Sequence, residues 1–330
     1  HFEDASKDPE INDLVKKKGK PGWIFSDFWL ESACSSSMPV IGLPLWLDRE
    51  SRMWTTEDFN DDSIPNTTKC FNFMINKYRI HRNVLIKLIE TLDLKSFDYT
   101  YSGFKGVTDF ASTIAELNSL DSKLLTDDQL GTFLAPVELP RRFYPTMGID
   151  SVITDSGRTW LLSSYDAWCE GVHNIFDNSA VSLITETDDT GKWLCFTEKS
   201  LFAMFGLTFP IWIGGKKGQA EWWKKLGFDI FEDIIDHSYQ SKNTNIERCF
   251  YALKYNWDLL TDLDKVSNLR KAHHDRLLRN RSKLLEDKVL TQYTLNHYQN
   301  CFDPALHQVF ESFLETYLKS ESSKGRSTML

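Results

Sequence analysis

No run of about 18 consecutive apolar residues occurs in this 330-residue chain, so no segment reads as a membrane span and the chain reads as soluble. Its six cysteines, Cys34, Cys70, Cys169, Cys195, Cys249 and Cys301, are scattered, and none forms a C-x-x-C pair. That spacing argues for a reducing compartment, the cytoplasm, with the thiols as small buried side chains. There is no H-E-x-x-H, no Cys/His cluster, no P-loop and no G-x-S-x-G, and Gly214, Gly215 and Gly218 lack the order of a dinucleotide fingerprint. Positive charge is also short: 38 Lys plus Arg stand against 47 Asp plus Glu, a formal charge of −9, which argues against a surface built for duplex DNA. The opening residues His1, Phe2, Glu3 and Asp4 lack the charged-then-apolar order of a targeting segment and read as a processed or trimmed N-terminus.

What is present is core-forming material. With 41% hydrophobic and 13% aromatic residues the chain buries a sizeable core, which excludes a disordered protein, and its length predicts two domains or one large domain with attachments. Residues 1–20 are charged and read as a solvated helix or arm, residues 38–47 as a strand between loops, and residues 58–68, with Asp61, Asp62 and Pro65, as a linker. From there the pattern becomes strand (70–75), loop, helix (82–92) and strand (97–101), the β-α-β unit of a parallel sheet. Residues 104–147 read as a helix-containing insertion. A second α/β stretch follows, with a helix at 164–176, a buried strand at 180–186, a helix at 197–206, a strand at 209–213, a helix at 221–226 and a short apolar element at 228–235. Beyond Ile246 amphipathic helices dominate, and residues 319–330 read as a frayed tail.

Two local patterns carry chemistry. Thr197, Glu198 and Lys199 open a helix whose free backbone N–H groups attract phosphate, to which the lysine adds a full charge; an N-cap threonine followed by ordinary first-turn charges reads the same way. Arg82, beside His81 and Arg79, follows the first strand, where a guanidinium can clamp a diphosphate or simply be solvated. Asp262 and Asp264 form a D-x-D that reads as a solvated turn, and Trp212, Trp222 and Trp223 read as core.

Three segments in order, residues 70–76 with His81 and Arg82, residues 181–186 (V-S-L-I-T-E), and residues 196–199 (F-T-E-K) with 209–214, resemble the nucleotide-sugar half of α1,3-fucosyltransferases and related GT-B glycosyltransferases. Together with the run at 226–239 they are similar, more closely, to glycosyltransferase-like proteins of phage and large-virus genomes. The resemblance covers about residues 69–300. It implies an α/β protein with a Rossmann-like parallel sheet, the GT-B C-terminal half, at 69–318, a short N-terminal region at 1–68 acting as a partial or degenerate acceptor domain, and a helical C-terminal extension. It also implies a metal-independent, inverting transfer of a sugar from a nucleotide diphosphate donor to a hydroxyl acceptor of a glycan, protein or modified base, with no cofactor beyond that donor. Arg82 and Lys199 would contact the diphosphate as the catalytic charges, Glu198 the ribose, Thr197 would open the helix, and Glu186 would face the donor sugar or hold the loop. Cys195 stands where the family carries a tyrosine, and Glu31 or Asp27 would serve as base. The alternative implied is a non-catalytic module of the same fold, a structural or binding component that assembles with other viral proteins, in the virion or the host cytoplasm.

Overall fold

The computed structural model describes residues 24–26, 33–34, 39–42, 45–59, 63, 66–75, 78–101, 111–120, 124–137, 139–140, 142, 152–153, 159–160, 164–186, 194, 196–213 and 217–301. The strands β1 (Ile24–Ser26), β2 (Ala33–Cys34) and β3 (Pro39–Gly42) form a small sheet, followed by helix α1 (Leu45–Ser51). The strand expected at 38–47 is thus shorter, its second half being helix. The main body comprises β4 (Lys69–Ile75), α2 (Ile80–Thr91), β5 (Phe97–Tyr101), α3 (Ala111–Ser119) and α4 (Asp127–Leu134). After a two-stranded pair, β6 (Val152–Ile153) and β7 (Thr159–Trp160), come α5 (Ser164–Ala167), a π-helical turn at Trp168–Val172, and α6 (His173–Asp177). The chain continues through β8 (Ser179–Thr185), α7 (Glu198–Phe205), β9 (Phe209–Ile213) and α8 (Gln219–Lys225). It ends, among the described residues, in α9 (Asn245–Tyr255), α10 (Trp257–Thr261), α11 (Leu263–Ala272), α12 (His274–Leu285) and α13 (Val289–Cys301). The expected tail at 319–330 lies outside the described residues.

The four strands predicted to share a sheet do so, in the order β5-β4-β8-β9 with every pairing parallel. Parallel sheets are covered on both faces, which is why β4, β8 and β9 read as nearly unbroken apolar runs. Alternation sorts their side chains between two layers. Phe71, Phe73, Ile75, Val181, Leu183, Phe209, Ile211 and Ile213 face a core shared with α2, α9, α10 and α11. Met74, Ile184 and Trp212 face another, with Phe176, Phe202, Phe205 and Trp223. Leu47 and Trp54, from the region before β4, belong to this second layer, and the Asp48 carboxylate ties α1 to α13 by accepting from Thr291 Oγ1 at 2.6 Å. Pro210 is tolerated because β9 is an edge strand of this sheet, where a missing N–H breaks no ladder.

The architecture is therefore α/β with a four-stranded parallel, Rossmann-like sheet. Two expected elements differ in detail. The helix at 164–176 is broken at Gly171, whose φ of 115° no other residue adopts readily. The apolar element at 228–235 forms neither strand nor helix; Phe228, Ile230, Phe231 and Ile235 are buried, while Glu232 and Asp233 are exposed. No helix among the described residues is long and apolar enough to cross a membrane. Cys70 and Cys249 are buried as expected, whereas Cys169 is exposed.

Candidate functional site

Because the four strands are parallel, the residues after Ile75, Thr185 and Ile213 leave the sheet at one rim. The chain passes from β4 outward to β5 and then returns to β8 on the other side of β4, so the strand order reverses between β4 and β8. The crevice outside the carboxyl ends of the strands at such a point is where open α/β sheets take ligands. The predicted residues gather there.

From the first turn of α2, the Arg82 Nη2 donates to the carbonyls of Thr185 at 2.9 Å and Glu186 at 3.2 Å, and His81 Nε2 donates to the Glu186 carbonyl at 2.9 Å. These bonds fix the end of β8. The Glu186 side chain, 0% exposed, turns instead to α7, accepting from Thr197 Oγ1 at 2.5 Å and Ser200 Oγ at 2.7 Å. Ser200 in turn accepts from the Trp212 indole N–H at 2.9 Å, linking the cluster to β9. The resemblance has Glu186 face the donor sugar or hold the loop; its carboxylate is bound instead to the first turn of α7. Burial raises its carboxyl, opposed by Lys199 and by the two hydroxyls.

Thr197 is the N-cap of α7, as its position predicted, yet its hydroxyl donates to Glu186 and makes no cap bond to the helix. Lys199 Nζ reaches Glu198 Oε1 at 2.7 Å and Thr197 Oγ1 at 3.5 Å. Arg82 is close enough to act electrostatically on Glu198. Residues more than 100 positions apart thus share one charged cluster: two cations, Arg82 and Lys199, and two carboxylates, Glu186 and Glu198. Arg82 differs from its expected role in one respect: it is 3% exposed, with Nη2 engaged by the backbone of β8.

Sequence reasoning missed two members. Ser200, the residue after T-E-K, bridges Glu186 and Trp212; a hydroxyl in the first helical turn beside a buried acid is its only local signal. His81 stands beside Arg82 in the sequence, and its role is to brace the end of β8. Burial, with Arg82 next, pushes its imidazole down to about 3, so it stays neutral with the proton on Nε2, and Nδ1 has no hydrogen-bond partner among the described residues. A folded-state value depressed below the unfolded 6.5 means that only the unfolded chain takes up this proton between the two values. The contribution is intact above pH 6.5 and is lost as pH falls toward 3, by about 1.4 kcal/mol per pH unit. In urea unfolding between pH 7 and 4.5, His81→Gln, whose amide can still donate to the Glu186 carbonyl, is expected to show a shallower acid slope by about one proton. Identical slopes would contradict the assignment.

The remaining candidates are structural. Asp262 Oδ1 caps α11 by accepting from the Lys265 N–H at 2.9 Å, and Trp212, Trp222 and Trp223 are core. Glu31, Asp27 and Cys195 lie outside the described residues. Among the described residues no group of three or more His, Cys, Asp or Glu is placed to hold a metal ion. A cleft of about 750 Å³ lined by Lys217, Glu221, Asp233, Asp236, His237 and Gln240 opens near the carboxyl end of β9, and none of Arg82, Glu186 or Lys199 lines it. Comparison of the chain with protein-family models, with curated proteins and with solved structures finds no match.

Proposed function

We propose that this chain is a glycosyltransferase of GT-B-like organisation that binds a nucleotide diphosphate sugar at the carboxyl ends of β4 and β8 and passes the sugar to a hydroxyl acceptor, without a metal and with inversion. The observation that carries the reading is the gathering of Arg82, Glu186, Thr197, Glu198 and Lys199 into one hydrogen-bonded and charged cluster at the point where strand order reverses. The chemistry is displacement at the anomeric carbon. A carboxylate takes the acceptor proton, the bond from the anomeric carbon to the diphosphate oxygen breaks, and Lys199 and Arg82 stabilise the charge that accumulates on the leaving group. Glu186 is a positioning residue in this scheme, because both its oxygens are held by hydroxyls of α7.

That same engagement favours a second reading, a non-catalytic module of the fold in which the cluster binds or merely braces, since Glu186 offers no oxygen to an acceptor. Binding is tested by thermal shift against the common nucleoside diphosphates and their sugars. A ligand at 100 times its Kd adds about 2.7 kcal/mol of stability, so one nucleotide should raise Tm by a few degrees. A flat response across all of them would remove the donor site.

A further inference from the structure

The cluster already contains an anion. Side chains at adjacent helix positions normally diverge, yet Glu198 and Lys199, in the first turn of α7, meet at 2.7 Å. The Glu198 carboxylate also lies in the field of Arg82, and its own backbone N–H favours its charge. Burial opposes its charge, but the lysine, that N–H and the arginine overcome the penalty and hold it ionised. A helix N-terminal amide, a lysine and an arginine are the groups a phosphate would use here. The carboxylate is the more exposed partner, at 19% against 9% for the lysine side chain, so it can rotate out while the ammonium stays.

We infer that the Glu198 carboxylate is an internal stand-in for a ligand phosphate, and that a phosphate or diphosphate group enters the site by displacing it from Lys199. The inference rests on the reading of this cluster as a diphosphate site. It reverses the sign of the role that the fucosyltransferase resemblance assigns to Glu198: a ribose contact supports binding, whereas a competing carboxylate opposes it.

The test is calorimetric titration of inorganic pyrophosphate, which has no ribose, into the wild-type chain and Glu198→Gln. The glutamine keeps the shape and loses the charge. Displacement predicts that Glu198→Gln binds pyrophosphate at least about tenfold more tightly, because the empty site no longer has to release its own anion. Glu198→Asp, too short to reach Lys199 as closely, should fall between the two and serves if the glutamine variant does not fold. If wild type binds pyrophosphate or a nucleoside diphosphate and the variants bind pyrophosphate equally or less well, the stand-in is wrong while the diphosphate site survives. If no chain binds pyrophosphate or any nucleoside diphosphate, both are wrong.

Discussion

Replacing Arg270 with methionine is expected to lower the unfolding free energy by about 3–5 kcal/mol, measured by denaturant titration at neutral pH. Arg270 is 0% exposed, and all five of its N–H donors are used. Nε donates to the Leu207 carbonyl at 2.9 Å, and Nη1 to Thr67 Oγ1 and the Asp177 carbonyl, each at 3.0 Å. Nη2 donates to the Phe176 and Gly206 carbonyls at 3.2 and 2.8 Å. Four of these acceptors are backbone carbonyls at the C-terminal ends of α6 and α7, where unpaired carbonyls and the negative end of the helix dipole both favour a cation. Methionine fills the volume of the stem but leaves these acceptors buried without a donor, at about 1–3 kcal/mol for each one that finds no water. There is little room to adjust: a Cβ placed on Gly206 would stand 2.4 Å from Phe176 Cβ. Lysine, with three donors, should recover part of the loss. A methionine variant within 1 kcal/mol of wild type would show that the guanidinium does not hold α11 against the sheet.

On the proposed glycosyl transfer, Lys199→Ala is expected to reduce turnover by about 10²–10³-fold while changing donor affinity much less. Negative charge grows on the diphosphate as the glycosidic bond breaks, so a cation beside it stabilises the transition state more than the bound donor. The loss therefore belongs in kcat, with KM nearly constant. Lys199 is 7% exposed and lies between two carboxylates, since it hydrogen bonds Glu198 and acts electrostatically on Glu186. Removing it also sets those carboxylates against each other, so a modest fall in Tm accompanies the kinetic effect, and Lys199→Arg controls for it by keeping the charge. A rise in KM with kcat unchanged would make Lys199 a binding residue only.

Much of the sheet was legible because its strands are buried on both faces. Phe209–Ile213 has the bounds expected from its apolar run, β4 and β8 lie within a residue of theirs, and Phe97–Tyr101, half-buried at the sheet edge, also has the expected bounds. Irregular buried segments were not legible, because what satisfies them is distant in sequence. In the turns at 228–235 the Asp229 N–H donates to Asn280 Oδ1, Asn280 Nδ2 donates back to the Asp229 carbonyl, and Phe231, at φ 59°, donates its N–H to the Asp229 carboxylate. Arg276 then pairs with Asp229 and Asp233. Nothing in the local pattern announces partners some fifty residues away. Arg270 was hidden for the same reason: a charge on an amphipathic helix reads as solvated until the carbonyls that surround it are known. At the site, residue types and positions pointed to Arg82, Thr197, Glu198 and Lys199, but the pairing of Glu198 with Lys199 and the burial of Glu186 depend on how α7 docks against β8.

The central claim is sugar transfer from a nucleotide diphosphate at this cluster, and the most direct measurement is release of nucleoside diphosphate by the purified chain from a panel of sugar nucleotides, with and without hydroxyl acceptors. Release from at least one donor, faster with a matching acceptor and lost in Lys199→Ala, is expected. A chain that binds a nucleoside diphosphate yet releases none from any donor would contradict the enzyme and leave only the binding module.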